Sequence, residues 1–464
     1  MTPEDAFASL TRAAGLAPLK MPRFAGADPV IPTPFRAATA AAAALGFAAS
    51  TAHEIWRLRG GEAQSIDIDL PHAAASLVSF AIQRLNGEAV PRPGANNPTI
   101  GLYRGADGRW IHLHGGFPHL AVRTLDLLNA YSDAESIADA VGKWNVFALE
   151  DALAHLGQCA AVVREEKEWR ESPQGKALAN VAPIMLTRIG DAPPLRLEEG
   201  EEPLDGIRVL DLTRVLAGPT CGRTLASHGA DVLSVRAERL DTIDAFALDT
   251  GHGKRLAFLD LVKPADAETL RKLARGAHVF VDSYRPGALA RLGFTPAALA
   301  HAAPGIVHVG VSAYGAHGPW GTRRGWEQLA QSATGIAAEQ GAFASPRERT
   351  PALIPAAACD YVTGYLAAAG AGAALLRRIR EGGSWQVEVS LAATAQWLQS
   401  LGRVETASVP DSWLAHTGLD GHMKSCETTR GRLDFLEPAV RMSKTQPRWL
   451  RPPPEPGPAV WLYE

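Results

Sequence analysis

Cysteine is scarce in this sequence: four residues in 464, at positions 159, 221, 359 and 426, with no CxxC pair. Neither a disulfide framework nor a structural zinc site is therefore expected, and a reducing cytoplasm is the expected compartment. An excess of charge of either sign is also lacking, since 46 Lys+Arg against 49 Asp+Glu leave a formal net charge of -3. Such a chain has no global field for gathering nucleic acid or a membrane surface, and any anion it binds must be held locally. No run of about eighteen uninterrupted apolar residues occurs, which removes a membrane-spanning helix. The opening MTPEDAFASLTRAAGLAPLK has no basic segment followed by an apolar one, so a soluble, unexported protein is expected. The 14 histidines show no metal-ligand spacing such as HExxH, and no metal site is expected. The nucleotide fingerprints G-x-G-x-x-G and G-x-x-x-x-G-K-[ST] are absent as well.

What is present is a mixed α/β pattern on a chain long enough for two or three domains. Ala-rich periodic segments from Arg36 to Leu58 and from Tyr361 to Ile379 read as helices, and Ser65-Ile66-Asp67-Ile68-Asp69-Leu70 reads as a strand. Residues 91–100, rich in Pro, Gly and Asn, lead into Asp107-Gly108-Arg109-Trp110-Ile111-His112-Leu113-His114, a turn followed by an alternating strand. A second break at 190–206 mixes Pro, Gly and acidic residues. Beyond it Ile207–Leu212, Gly229–Val235, His278–Asp282 and Ile306–Ser312 read as buried strands separated by helical pattern. That spacing predicts a Rossmann-like, doubly wound parallel sheet with right-handed crossovers, accompanied by a smaller α/β domain. An internal repeat spans the chain: Trp56-Arg57-Leu58-Arg59-Gly60-Gly61 followed by Ile66–Leu70 is echoed by Leu376-Arg377-Arg378-Ile379-Arg380-Glu381-Gly382 followed by Val387–Leu391, each copy leading into an Ala-rich helix. The expected organisation is a degenerate partial repeat (1–94), a small α/β domain (95–178), a Pro/acidic linker (179–203), a Rossmann-like domain (204–400) and a Pro-rich C-terminal tail (401–464).

Four places could carry chemistry. Asp211-Leu212-Thr213-Arg214-Val215-Leu216-Ala217-Gly218-Pro219 closes the first strand of the sheet, where backbone amides and a helix N-terminus suit phosphate; Gly218 and Pro219 could equally do no more than shape a tight turn. Ser283-Tyr284-Arg285-Pro286-Gly287 follows another strand end, and Tyr284 offers either a flat face for a purine or a packed core ring. Lys254 and Arg255 could meet phosphates or lie in a solvated loop. Asp360 is a lone acid between an apolar run and an apolar helix. Two readings of it stand: a helix N-cap, or a functional carboxylate desolvated by its surroundings and stabilised as an anion by the helix N-terminus.

The order of these motifs resembles the family III CoA-transferases, the group that includes formyl-CoA and carnitine CoA-transferases. Gly206–Pro219 looks like the family's opening segment. Gly229-Ala230-Asp231-Val232, Gly253-Lys254-Arg255, Tyr284-Arg285-Pro286-Gly287, Arg291-Leu292-Gly293 and Tyr314-Gly315 with Gly318-Pro319 follow in family order, and Asp360 comes after them. The resemblance implies a transferase that moves CoA from an acyl-CoA thioester to a free carboxylic acid through aspartyl anhydride and aspartyl-CoA intermediates on Asp360. The CoA, a co-substrate with no further cofactor, would lie near Val215, Leu216, Ala217, Tyr284, Arg285 and Tyr314. It also implies a homodimer. The small domain stands before the Rossmann-like part, whereas the family places it after, so residues 95–178 are expected to complete the site of 204–400. The repeat puts Thr39 or its neighbours where Asp360 sits, which implies one site per chain. Two rivals remain. An α-methylacyl-CoA racemase would need a histidine where this chain has Gly325-Trp326-Glu327. A non-catalytic CoA-binding protein would fit the departures at Trp326, Arg236 and Ser283.

Overall fold

The computed structural model describes residues 1–91, 94, 96–285, 287–404 and 412–462. The N-terminal part supplies helix α1 (Ala37–Leu58), strand β1 (Ile66–Asp69) and helix α2 (Leu70–Ser76). Strands β2 (Ile100–Arg104), β3 (Trp110–His114) and β4 (Ala160–Val162) form a small antiparallel sheet. Next come β5 (Met185–Gly190), β6 (Arg208–Leu212), α3 (Ala217–Ser227), β7 (Asp231–Arg236), β8 (Lys254–Phe258), α4 (Pro264–Gly276), β9 (Val279–Asp282), α5 (Pro296–Ala302), β10 (Val307–Ser312), α6 (Glu327–Thr334), α7 (Ala358–Glu381), β11 (Ser384–Ser390) and α8 (Leu391–Ser400). The 7-stranded sheet runs β8-β7-β6-β9-β10-β11-β5; all pairings are parallel except β11 with β5. The strand order reverses between β6 and β9, which places a ligand crevice at their carboxyl ends. The fold is the doubly wound α/β class that the sequence predicts.

Helices α3, α7 and α1 cover one face of the sheet in a single core, while α4 and α5 cover the other. Helix α1 is buried almost all round, as an apolar helix without a polar face must be. Small residues let these helices approach closely: a Cβ on Gly372 would stand 2.2 Å from Thr51 Oγ1, and one on Gly364 would stand 2.5 Å from the Ala217 carbonyl oxygen. The two copies of the repeat share a junction in which the strand runs straight into a capped helix. Asp69 accepts from the His72 amide at the start of α2, and Ser390 accepts from the Ala393 amide at the start of α8.

Two expectations about organisation need correction. Residues 179–203 are not all linker, because Met185–Gly190 is the antiparallel edge strand of the main sheet; its half-exposed pattern hides it in sequence. Residues 401–464 are not simply a tail. Met423–Thr428 and Gly431–Leu436 form a hairpin that pairs with Arg84–Leu85, and the Pro-rich stretch beyond is pinned by Trp449, whose Nε1 donates to the Arg223 carbonyl, and by Trp461, whose Nε1 donates to that of Leu273. Proline keeps this segment extended, and buried indoles fix it. No helix among the described residues is long and apolar enough to cross a membrane.

Candidate active site

Between β6 and α3 the chain turns through Val215, whose φ of 71° is rare for a β-branched residue. The turn is held from below: Asp211 accepts from the Thr213 amide (3.0 Å) and hydroxyl, and Lys254 Nζ bridges Asp211 Oδ2 and the Pro219 carbonyl, each at 2.7 Å. Burial pulls the Lys254 ammonium pKa down and Asp211 opposes that shift. Lys254 is thus a buried support, and Arg255 is paired with Asp231 at 2.9 Å; neither is available to a phosphate.

This support aims the N-terminus of α3 at that of α7. Asp360 is the third residue of α7, not its N-cap; Ala357 holds the cap position without a side-chain bond. The residue is 8 % exposed, and the backbone of Ala217 lies near enough to its carboxylate to draw the pKa back down. Facing it is Glu327, the first residue of α6, whose Oε1 accepts from Gln331 Nε2 (2.5 Å) and from the Cys359 amide (3.3 Å). The Gln331 side-chain oxygen Oε1 accepts from the Ile354 amide at 2.9 Å, which locks the arrangement. Burial, and then Glu327, push the Asp360 pKa well above the usual carboxylate range; burial pushes Glu327 up to about 7. Desolvation disfavours ionisation of both carboxyls, and the charge of Glu327 adds to that at Asp360. Cys359 is fully buried, and burial together with both acids raises its thiol pKa so far that it stays protonated.

The small domain roofs this site. Trp326 stacks on His114 of β3 (ring centroids 4.2 Å apart, planes at 18°) and lies 5.3 Å from Phe117, while the Arg214 guanidinium sits 4.9 Å over the Phe117 ring. A Cβ on Gly116 would meet the Trp326 ring at 3.0 Å, so the loop after β3 has room only for glycine. The roof is anchored by the Arg164 amide on the Ser332 carbonyl (3.0 Å) and by His112 Nδ1 with the Ser332 hydroxyl (2.9 Å).

Of the residues predicted from sequence, Asp360 and the Val215–Leu216–Ala217 turn come together. The side chains of Leu216 and Ala217 are buried, so the turn presents its backbone. The Ser283 hydroxyl accepts from the Arg214 amide at 3.3 Å, tying this turn to the next loop. There Tyr284 and Arg285 border a neighbouring cavity of about 310 Å³ on β9, β10 and β11, whose walls include Asp282, His308 and Glu388 but not Asp360. Tyr314 does not join them. Its ring is 2 % exposed and edge-on to Trp320 at 4.9 Å, in the core. Sequence reasoning missed Glu327 as a partner of Asp360, and also a set of cations at the carboxyl ends of the strands, where Arg285 lies within the fields of Arg324 and Arg291, and His119 within those of Arg324 and Arg214. An acid opening a helix with Gln four residues on was the one local signal for Glu327.

Residues 204–411 match the model of CoA-transferase family III. The acetyl-coenzyme A transferase nodX of Hypoxylon pulicicidum is 28% identical over 84% of this chain and 73% of its own length. An acyl-CoA transferase of Gibberella moniliformis is 30% identical over 80% of this chain and 72% of its own. A crystal structure of the protein Rv3272 from Mycobacterium tuberculosis is 32% identical over 44% of this chain and 59% of that one, with a TM-score of 0.41. The chain belongs to CoA-transferase family III, and it is an enzyme of that class. Both matches extend well outside residues 204–411.

Proposed function

We propose that the enzyme moves CoA from an acyl-CoA thioester to a free carboxylic acid through covalent intermediates on Asp360. The observation that carries this reading is the Asp360 carboxylate, buried beside Glu327 and near the backbone of Ala217 where α3 and α7 converge. An ionised Asp360 oxygen attacks the thioester carbonyl, and the C–S bond breaks to give an acyl-aspartyl anhydride and CoA thiolate. The thiolate attacks the aspartyl carbonyl, releases the donor acid and leaves an aspartyl-CoA thioester. The acceptor carboxylate attacks that thioester, and the freed thiolate then takes the acyl group from the new anhydride, which regenerates Asp360. Each tetrahedral oxyanion needs a donor, and backbone amides at two helix N-termini suit that role. Glu327 keeps the shared proton while Asp360 is ionised, so the pair never carries two buried charges. The Val215–Ala217 backbone, Tyr284 and Arg285 bind the CoA.

The roof over Asp360 comes from the same chain, so each chain of a homodimer would hold a complete site. Four unpaired cysteines suit a reducing cytoplasm. The test is incubation of the enzyme with a panel of acyl-CoA donors and isotopically labelled free acids, with mass detection of label in the CoA thioester pool. Appearance of labelled thioester supports the reading; binding of CoA without any exchange would sink it.

A further inference from the structure

On the sheet face covered by α4 and α5, opposite α7, the ends of β9, β10 and β11 floor the cavity of about 310 Å³. The parallel register arranges that floor in two rows. Phe280, His308 and Gln386 form one, and Asp282, Gly310 and Glu388 form the next. Neighbouring strands stand about 4.8 Å apart, so two acidic positions lie roughly 10 Å apart with a glycine between them. A Cβ on Gly310 would meet only His308 Cε1 at 3.4 Å and the Val387 carbonyl oxygen at 3.9 Å, so the space above it is open. Leu178, Met185, Leu289 and Phe294 supply apolar walls.

The two acids are held differently. Asp282 is engaged: Oδ1 accepts from the Tyr284 amide at 2.9 Å, and Oδ2 faces His308 Nε2 at 3.2 Å. His308 Nδ1 is buried without a partner, so the ring proton belongs on Nε2, toward Asp282. Glu388, half-buried, has neither an ion pair nor a hydrogen bond among the described residues. Arg285, the one Lys or Arg on the lining, is exposed at the mouth. A carboxylate among apolar walls with no cation is under-compensated, and a cationic ligand offsets that cost. An apolar cavity of about 150 Å³ accepts benzene, so one of twice that volume admits a two-ring molecule of about twelve non-hydrogen atoms.

We propose that this cavity binds an apolar ammonium, a ring system bearing a protonated primary amine. The rings lie against Leu289 and Phe294, and the ammonium sits over Gly310 between Glu388 and Asp282. The site is separated from Asp360 by the main sheet, and the transfer chemistry uses none of Asp282, His308 or Glu388.

The test is calorimetric titration of the full chain near neutral pH with tryptamine and with 3-ethylindole, which keeps the rings and lacks the charge. The unsubstituted enzyme should bind tryptamine with a Kd on the order of 100 µM. It should bind 3-ethylindole about 10- to 100-fold more weakly. Glu388→Gln should weaken tryptamine alone and bring the two ligands to similar affinity. Gly310→Leu, which fills the gap from the strand, should abolish binding of both, and Asp360→Asn should change neither affinity. Circular dichroism and thermal melts identify a variant that has lost its fold, in which case the other cavity variant decides. Absence of tryptamine binding to the unsubstituted enzyme, or equal binding of the two ligands, overturns the proposal. So does an undiminished preference in folded Glu388→Gln, undiminished binding in folded Gly310→Leu, or binding lost in Asp360→Asn. None of these outcomes bears on whether Asp360 carries the transfer.

Discussion

The chain carries the same helix–strand–helix unit twice, and a carboxylate stands at the start of each leading helix, yet the two acids are held differently. In α1 the third residue is Thr39, and the amides of Ala38 and Thr39 are both taken by Asp28, at 3.2 and 2.9 Å. In α7 the third residue is Asp360, the Cys359 amide is taken by Glu327, and Asp360 turns across to the backbone of Ala217 on another helix. Asp28 is an acid doing a cap's work: burial raises its pKa, and bonds to Thr39 and Ala38 pull it back. Around Asp360 the acids are crowded, and desolvation is the largest influence on both. One carboxylate satisfied by two amides stabilises a helix; two desolvated carboxyls near each other resist ionising together.

The largest expected effect comes from breaking the active copy. Asp360→Asn and Asp360→Ala should fold and bind CoA yet lose transfer by about three orders of magnitude or more in steady-state assays. Adding Thr39→Asp to Asp360→Ala should restore nothing, because the new acid meets Asp28 and no second helix N-terminus; recovered activity would dissolve the distinction between the copies. Glu327→Gln should lower kcat by about 10- to 100-fold. It takes away the group that holds the proton beside Asp360, so the acidic limb of the pH–rate profile, expected near 7 in the unsubstituted enzyme from the value for Glu327, should move to higher pH, toward the ionisation of Asp360 alone. An unchanged limb would mean that the two acids do not share a proton.

A smaller effect concerns stability. A carboxyl whose pKa is raised by folding binds more protons in the native state, so its contribution is lost as pH climbs from the unfolded value of about 4 through the folded one, at about 1.4 kcal/mol per unit. Asp360→Asn and Glu327→Gln should therefore stabilise the protein at pH 8 and lose that advantage toward pH 4, as measured by urea unfolding. Asp28→Ala should do the reverse of these active-site variants, costing about 1–2 kcal/mol of stability through the lost cap while leaving kcat and KM unchanged.

Four of the parallel strands, β6, β7, β9 and β10, were legible because each is a short run rich in Val and other apolar residues, set off by helical pattern on either side. The strand β5 was not, since an edge strand alternates weakly and its neighbours are prolines and acids. Nor was the hairpin at 423–436, which depends on pairing with residues far earlier in the chain. Asp360 could be picked out by its lone position, but its choice between cap and nucleophile depended on Ala217 and Glu327, brought together only by the meeting of three helices. Tyr314 shows the converse: the family resemblance placed it by the CoA, and packing against Trp320 put its ring in the core. Glu327 acquires its meaning from burial beside another acid, which no local pattern records.

The most direct measurement of the central claim is chemical trapping. Hydroxylamine added with an accepted acyl-CoA donor should convert the intermediate on the unsubstituted enzyme to a hydroxamate, located by peptide mass spectrometry at Asp360, with none formed in Asp360→Asn and undiminished trapping in Cys359→Ala. Turnover without any trapped adduct at Asp360, or an adduct on Cys359 in its place, would contradict the assignment.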